Sequence, residues 1–281
     1  MFIDAALATR IERAEAALGR AIAMGLGADG PAVVVPVAGG AGVLVRPGSP
    51  MNKVIGLPVD EPLDERALAD VEAAWGRVGE PVRIELSTRA APAVLAALVA
   101  RGYQLTAVED VLVRRLPAPS PSPSPSPEIV VARARSEAEV AAWRAAILEG
   151  FLAGDGTGAA PPGDGRAVLE TLMADVAAAP GFERYVAHRD GQLAGAASLR
   201  LDEGVALLCG AATLPAHRRR GVQAALLAAR LRDAHAAGAE VAVVTTAPGS
   251  LSEHNVVRSG FALGYARLVL VLVLVLDPRS R

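Results

Sequence analysis

Residues 205–227 read VALLCGAATLPAHRRRGVQAALL, and this stretch decides how the rest of the chain is read. Val205–Thr213 is a β-branched and small-residue run that predicts a strand. Val222–Ala237 carries apolar residues at helical spacing and stops at Gly238, which fits a left-handed helix terminator. Between them stand His217, Arg218, Arg219, Arg220 and Gly221. A helix start leaves backbone N–H groups unpaired and concentrates partial positive charge. Three arginines just upstream add full charges, and Gly221 lets a ligand approach the backbone closely. Strand, basic turn and helix start therefore predict a cradle for a phosphate or pyrophosphate. It is not a P-loop, because GxxxxGK[ST] is missing, and a single glycine is not GxGxxG. The plainer reading of the same residues is a basic cap on a solvated turn.

Working outward, the second half is well punctuated. Strand Ile129–Arg133 precedes helix Glu137–Phe151, whose Ser136 and Glu139 make a capping-box pattern. A glycine- and proline-rich loop, AGDGTGAAPPGDG (153–165), leads into helix Arg166–Ala178. Strands Arg184–His188 and Gln192–Leu201 flank Asp190–Gly191, the dipeptide that best suits a tight hairpin. After the cradle come strand Val241–Thr246, helix Leu251–Ser259, Gly260, and strand from Phe261 onward. The order β-α-α-β-β-β-α-β-α-β predicts an α/β domain on a mixed sheet.

Upstream, PAPSPSPSPSP (117–127) reads as an extended spacer, because alternating proline pins φ and removes donors. It divides the chain into 1–116 and 128–281, each long enough for its own core. The first half predicts helix Asp4–Met24, strands Val33–Val37, Val43–Arg46 and Lys53–Leu57, and helix Leu63–Arg77 capped by Asp60 or Asp64. Strand Val82–Leu86, helix Ala91–Arg101 and strand Glu109–Leu116 complete it.

Composition excludes several classes. The 281 residues carry 28 basic and 30 acidic side chains, too balanced a charge to argue for nucleic acid or an anionic membrane. Lys53 is the sole lysine, so arginine carries the positive charge. One cysteine, Cys209, excludes an internal disulfide framework and a cysteine-built zinc site; no metal is expected. Met1–Met24 is charged throughout, unlike an export signal, and Leu268–Leu276 is too short to span a bilayer as a helix. The expected compartment is the cytoplasm. The alternating Leu268–Leu276 run predicts a buried strand, completing its own sheet or pairing across a homodimer.

Residues 128–276 resemble a GCN5-related N-acetyltransferase (GNAT) domain. The family signature Gln/Arg-x-x-Gly-x-Gly/Ala is similar to Arg218 through Gln223, preceded by LLCGAATLP (207–215) with Pro215 in place. The ending VAVVTTAPGS (241–250) and SEHNVVRSGF (252–261) matches as well. One departure is Gln223, where the family has a small residue, although Ala224 follows directly. In the first half, VRIELS (82–87), APAVLAALVARGYQL (91–105) and EDVLVRRL (109–116) repeat the same closing order without an arginine–glycine cradle. The resemblance implies tandem GNAT-fold domains joined by the Pro/Ser linker, the N-terminal one having lost cofactor binding.

It also implies direct transfer of an acetyl group from acetyl-CoA to an amine of a small molecule or protein. The coenzyme would be held by Arg218, Arg219, Arg220, Gly221, Val222, Gln223 and Ala224. Backbone of Ala212, Thr213 and Leu214 would face the thioester oxygen, and Asn255 would reach the coenzyme. The tyrosine that often protonates the leaving thiolate is Val256 here. Ser252, His254, Asn255 or Tyr265 are the substitutes; Asp202, Glu203, His217 and His188 are the candidate bases. The 153–165 loop joins the helices that border the acceptor pocket in this family, and Asp155 and Asp164 hint at a cationic acceptor. The other reading is a non-catalytic module that binds acyl-CoA or a protein partner.

Overall fold

The structure, a computed structural model, describes residues 3–57, 59, 61–116, 128–154 and 165–273. The Pro/Ser spacer and most of the 153–165 loop lie outside the described residues. The chain forms two compact units: Met1–Val111 with Thr246–Pro248 and Leu263–Arg281, and Leu112–Thr245 with Gly249–Ala262. This division differs from a single cut at the spacer, because the strand after Leu263 packs in the first unit.

The first unit opens with helix α1 (Ala5–Gly25), capped by the Asp4 carboxylate, which accepts from the Leu7 N–H. Strands β1 (Val33–Val37), β2 (Gly40–Leu44) and β3 (Lys53–Ile55) pair antiparallel in turn. Helix α2 (Glu65–Gly76) then carries the chain to β4 (Val82–Ser87), which pairs in parallel with β3. Helix α3 (Pro92–Ala100) and β5 (Gln104–Arg115) follow; Gln104–Val111 belongs to this unit. The last strand, β11 (Ala262–Leu272), lies antiparallel to β4, with Leu268, Leu270 and Leu272 opposite Leu86, Ile84 and Val82.

Period-two alternation sorts the two faces of β4 and β11. One face sends Val82, Ile84, Leu86 and Leu270 against Leu68, Val71, Trp75 and Leu98 of α2 and α3. The alternate positions carry Glu85 and Arg267, both 1% exposed. Arg267 Nε donates to Glu12 Oε1 at 2.9 Å, Tyr265 donates to the same oxygen, and Lys53 pairs with Glu85 at 2.9 Å. Burial pushes the Glu12 carboxyl above its ordinary value, and Arg267 and Tyr265 pull it back only in part.

In the second unit the order β10-β9-β8-β7-β6 is built from β6 (Ile129–Arg133), β7 (Phe182–Arg189), β8 (Gln192–Asp202), β9 (Val205–Thr213) and β10 (Val241–Thr246). Pairing is antiparallel from β6 to β9, and β9 with β10 is parallel. Asp190 and Gly191 both take positive φ, 52° and 75°, the twist a two-residue hairpin requires. Helices α4 (Glu137–Leu152) and α5 (Gly165–Ala178) hold Trp143, Ile147 and Met173 against Val186 and Ala196. Helix α6 (Val222–Ala236) buries Val222, Leu226 and Ala229 in a second cluster with Tyr185, Leu199 and Phe261. Helix α7 (Leu251–Arg258) adds Val256 to that cluster.

Observed elements follow the expected ones closely, and the differences are local. Strand β2 begins three residues earlier than expected, and β5 extends back to Gln104. Asp64 caps α2; Asp60 lies outside the described residues. After Phe261 a single strand forms, with 274 onward outside the described residues. No described helix is long and apolar enough to cross a membrane.

Candidate functional site

Three backbone features shape one end of β9. First, β9 pairs with β10 at Val205, Ala206 and Leu207 only, so the two parallel strands separate beyond that point. Second, the β8–β9 register shifts between Ala196 and Ser198. Two residues, Gly210 and Ala211, stand opposite Ala197 there, and Gly210 takes φ 52°, the bulge type that needs a left-handed glycine. The Ala197 carbonyl accepts instead from the buried Trp143 indole N–H at 3.2 Å. Third, α4 comes very close: a Cβ on Gly150 would stand 2.5 Å from the Ala212 Cβ. Only glycine fits at that crossing.

The direction of the amides follows from their partners. The Leu214 N–H is bonded to the Ala194 carbonyl at 2.9 Å, so it faces β8. Leu214 is therefore not a free donor, which corrects the expectation for that residue. Ala212 pairs with Ala196 and also faces β8. Thr213, between them, points the other way, toward the side on which β10 has parted. Its carbonyl accepts from Arg218 Nε at 3.4 Å on that side.

The turn that follows is strained and open. Pro215–His217 makes one 3-10 turn, after which Arg219 (φ 58°) and Gly221 (φ 84°) both take left-handed backbone. For an arginine that conformation costs on the order of 1 kcal/mol. Gly221 is the N-cap of α6, with no side chain capping the helix. The N–H groups of Val222, Gln223 and Ala224 have no carbonyl a turn earlier within the helix. Arg219, Arg220, Gly221 and Ala224 are exposed. A Cβ at Gly221 would stand in ordinary contact with Ile129 Cδ1 at 3.6 Å, while the glycine itself is exposed. An uncapped helix start beside two exposed arginines has the chemistry by which a helix start attracts an anion.

Other expected residues fall in varied places. Asn255, on α7, donates from Nδ2 to Gln223 Oε1 at 2.8 Å, so these two come together at the start of α6. Ser252 and His254 are exposed on α7, which Ser250 caps. Val256 is buried in the apolar cluster and offers no proton donor. Tyr265 lies in the first unit, its hydroxyl donated to Glu12 and raised well above its ordinary pKa by burial and by that carboxylate. Asp202 and Glu203 sit before β9, at its far end from Thr213. Eight residue steps of about 3.3 Å put that end of the strand up to roughly 26 Å from Thr213, too far for them to act there. His217 is buried beside the arginines, with Nδ1 lacking a partner among the described residues. His188 is half-buried on β7, two strands from β9.

Sequence reading missed the Gly150 contact, the Gly210 bulge and the Gln223–Asn255 bond. Gly150 sits in a helix pattern where glycine costs stability, which was the available signal. It also missed Arg230, 3% exposed, whose guanidinium donates to the Leu226 and Ser198 carbonyls. Burial lowers the Arg230 pKa to about 10. A cavity of about 310 Å³ between α4 and α5, lined by Ala141, Arg144, Leu148 and Glu170 among others, opens on the face of α4 away from β9. Among the described residues, no group of His, Cys, Asp and Glu is placed to hold a metal ion.

Comparison with known proteins bears on the fold. Residues 158–261 match the family model described as the acetyltransferase (GNAT) family. A GCN5-related N-acetyltransferase from Kribbella flavida superposes with a TM-score of 0.61 at 20% identity, covering 95% of this chain and 96% of that one. A tandem GNAT protein from the clavulanic acid biosynthesis pathway gives 0.56 at 14% identity, over 83% of this chain and 77% of that one. A GCN5-related N-acetyltransferase from Sphaerobacter thermophilus gives 0.53 at 14%, over 74% and 65%. No curated protein matches the chain. The fold is thus the mixed α/β fold of the GNAT acetyltransferases.

Proposed function

Starting from a GNAT-family domain at residues 158–261, we propose that this protein is an acetyl-CoA-dependent N-acetyltransferase acting on an amine of a small molecule or protein. The observation that carries the reading is the uncapped start of α6, with Gly221 bare and Arg219 and Arg220 exposed at the end of a strand that has parted from its neighbour. This socket fits a diphosphate: it offers first-turn N–H groups with no partner within the helix and positive charge, around an exposed Gly221. The backbone of Arg220 to Ala224 and the side chains of Arg219 and Arg220 hold that group. Arg218, tied to the Thr213 carbonyl, braces the turn against the strand end.

Acetyl-CoA supplies the acetyl group; a C–N bond forms to a neutral amine as the C–S bond breaks, and the proton shed by the amine nitrogen balances the one that the leaving thiolate takes up. The Thr213 N–H faces the gap between β9 and β10 and is the donor placed to meet developing negative charge. Separation of the strands leaves room for an extended, amide-bearing chain alongside β9. The first unit, by the same reading, is a GNAT-like copy without a coenzyme socket, and the chain works in the cytoplasm.

A non-catalytic acyl-CoA-binding module is the second reading. It is favoured by Val256, buried where a tyrosine would stand, and by Tyr265, whose hydroxyl is held by Glu12. Two measurements decide. Acetyl-CoA at about 100 times its Kd stabilises a binding protein by roughly 2.7 kcal/mol, so melting rises by several degrees. Melting unchanged at millimolar acetyl-CoA overturns both readings. Thiol release above background with a panel of primary amines supports the enzyme; coenzyme binding without any release supports the module.

A further inference from the structure

The socket has one feature at odds with its purpose. Gln223, the second residue of α6, stands among the unpaired N–H groups, at the position where the family pattern has a small residue. A glutamine side chain is long enough to fold back, and its carboxamide oxygen is a ready acceptor for first-turn N–H groups. Left free, it would compete with an incoming anion for them. In the structure it does not fold back. Its Oε1 accepts from Asn255 Nδ2 at 2.8 Å, so its acceptor atom is turned to α7. Gln223 and Asn255 are both half-buried, which favours one fixed arrangement over exchange with water. The bond joins the first turn of α6 to the middle of α7, the two helices that follow β9 and β10, the strands that part at the site.

We infer that Asn255 is a positioning residue, holding the Gln223 side chain off the α6 N–H groups so that the anion socket stays open. The inference rests on the coenzyme-binding reading above. It assigns Asn255 an action through Gln223, not a direct contact with the coenzyme. The pair then makes a compensated substitution: the long side chain at a small-residue position is tolerated because a donor on α7 restrains it. An apolar or acidic residue at 255 removes the donor and releases Gln223 onto the socket.

The test is a double-mutant cycle read by calorimetric titration of the full chain with acetyl-CoA. Asn255→Ala should weaken binding about fivefold, which is what one side-chain cap is worth. Gln223→Ala should bind as well as the native chain or better. In the double variant Asn255→Ala/Gln223→Ala, loss of Asn255 should have no effect. Equal weakening by Asn255→Ala in both backgrounds means direct contact and overturns the inference, as does no weakening in either. In both cases the proposed function stands. No binding by any of the four proteins, with native melting temperatures retained, brings down the proposed function and this inference with it.

Discussion

Helices α2 and α6 occupy matching places in their units, and their first turns are opposites. Each follows a strand, β3 or β9, that pairs in parallel with the strand after the helix, β4 or β10. The start of α2 is closed: Asp64 accepts from the Ala67 N–H at 2.9 Å, and Glu65 puts a second carboxylate in the first turn. The start of α6 is open, with glycine at the cap and arginines before it. A carboxylate at a helix start satisfies the N–H groups and neutralises the dipole, which are the two attractions an anion would otherwise use. Charge is deployed differently as well. The first unit pairs buried Glu12 with buried Arg267 and half-buried Lys53 with buried Glu85, whereas the second exposes Arg219 and Arg220 at the turn. The contrast teaches that one strand–helix–strand arrangement can carry opposite helix starts, a carboxylate-capped one at α2 and an uncapped one flanked by arginines at α6.

The sharpest break in that contrast is Arg267→Met. It strips Glu12 of its cation in the core and should destabilise the protein by about 3–5 kcal/mol in urea unfolding, with much of the loss recovered in Arg267→Met/Glu12→Gln. The pH dependence has a definite sign. The Glu12 carboxyl is raised in the folded state, so its contribution is fully present below its ordinary value of 4.5 and is lost as pH rises through the folded value. Without Arg267 that loss should steepen, and the variant should be relatively more stable at pH 4 than at pH 7. A flat difference between the two pH values would show the ion cluster to be unimportant.

Gly221→Val tests the open helix start. Left-handed backbone costs a side chain about 1–2 kcal/mol, and a branched Cβ packed against Ile129 should force the turn to rebuild. Acetyl-CoA binding should fall by roughly 100-fold, and any thiol release should vanish with it. Full affinity in a folded Gly221→Val protein would rule out the turn as the socket.

The smallest effect belongs to the closed start. Asp64→Ala should cost about 1 kcal/mol of stability, seen as a melting shift of a few degrees, while leaving acetyl-CoA affinity untouched. Altered affinity would mean that the first unit also takes the coenzyme.

Much of this was legible in residue order. The capping box at Ser136 and Glu139, the Asp190–Gly191 hairpin and the β9–turn–α6 stretch are local signals, set by what a few neighbouring residues can do to one backbone. The arginine–glycine turn fell where expected for the same reason. Other features required distant partners. Leu214 looked like a free donor until Ala194, twenty residues earlier, was seen to take its N–H. Tyr265 looked available as an acid, but Glu12 lies 253 positions away in the chain and directly against it in the fold.

The sequence by itself determined which segments become helices and strands, where they stop, and where positive charge meets a bare helix start. Those outcomes depend on propensity, capping and periodicity, which act within a turn or two. Tertiary structure alone decided that β11 packs against β4 in the first unit, that β9 and β10 part after three residue pairs, and that Gln223 is turned toward Asn255. Each depends on which surfaces meet after folding, and no short-range rule relates residues so far apart along the chain.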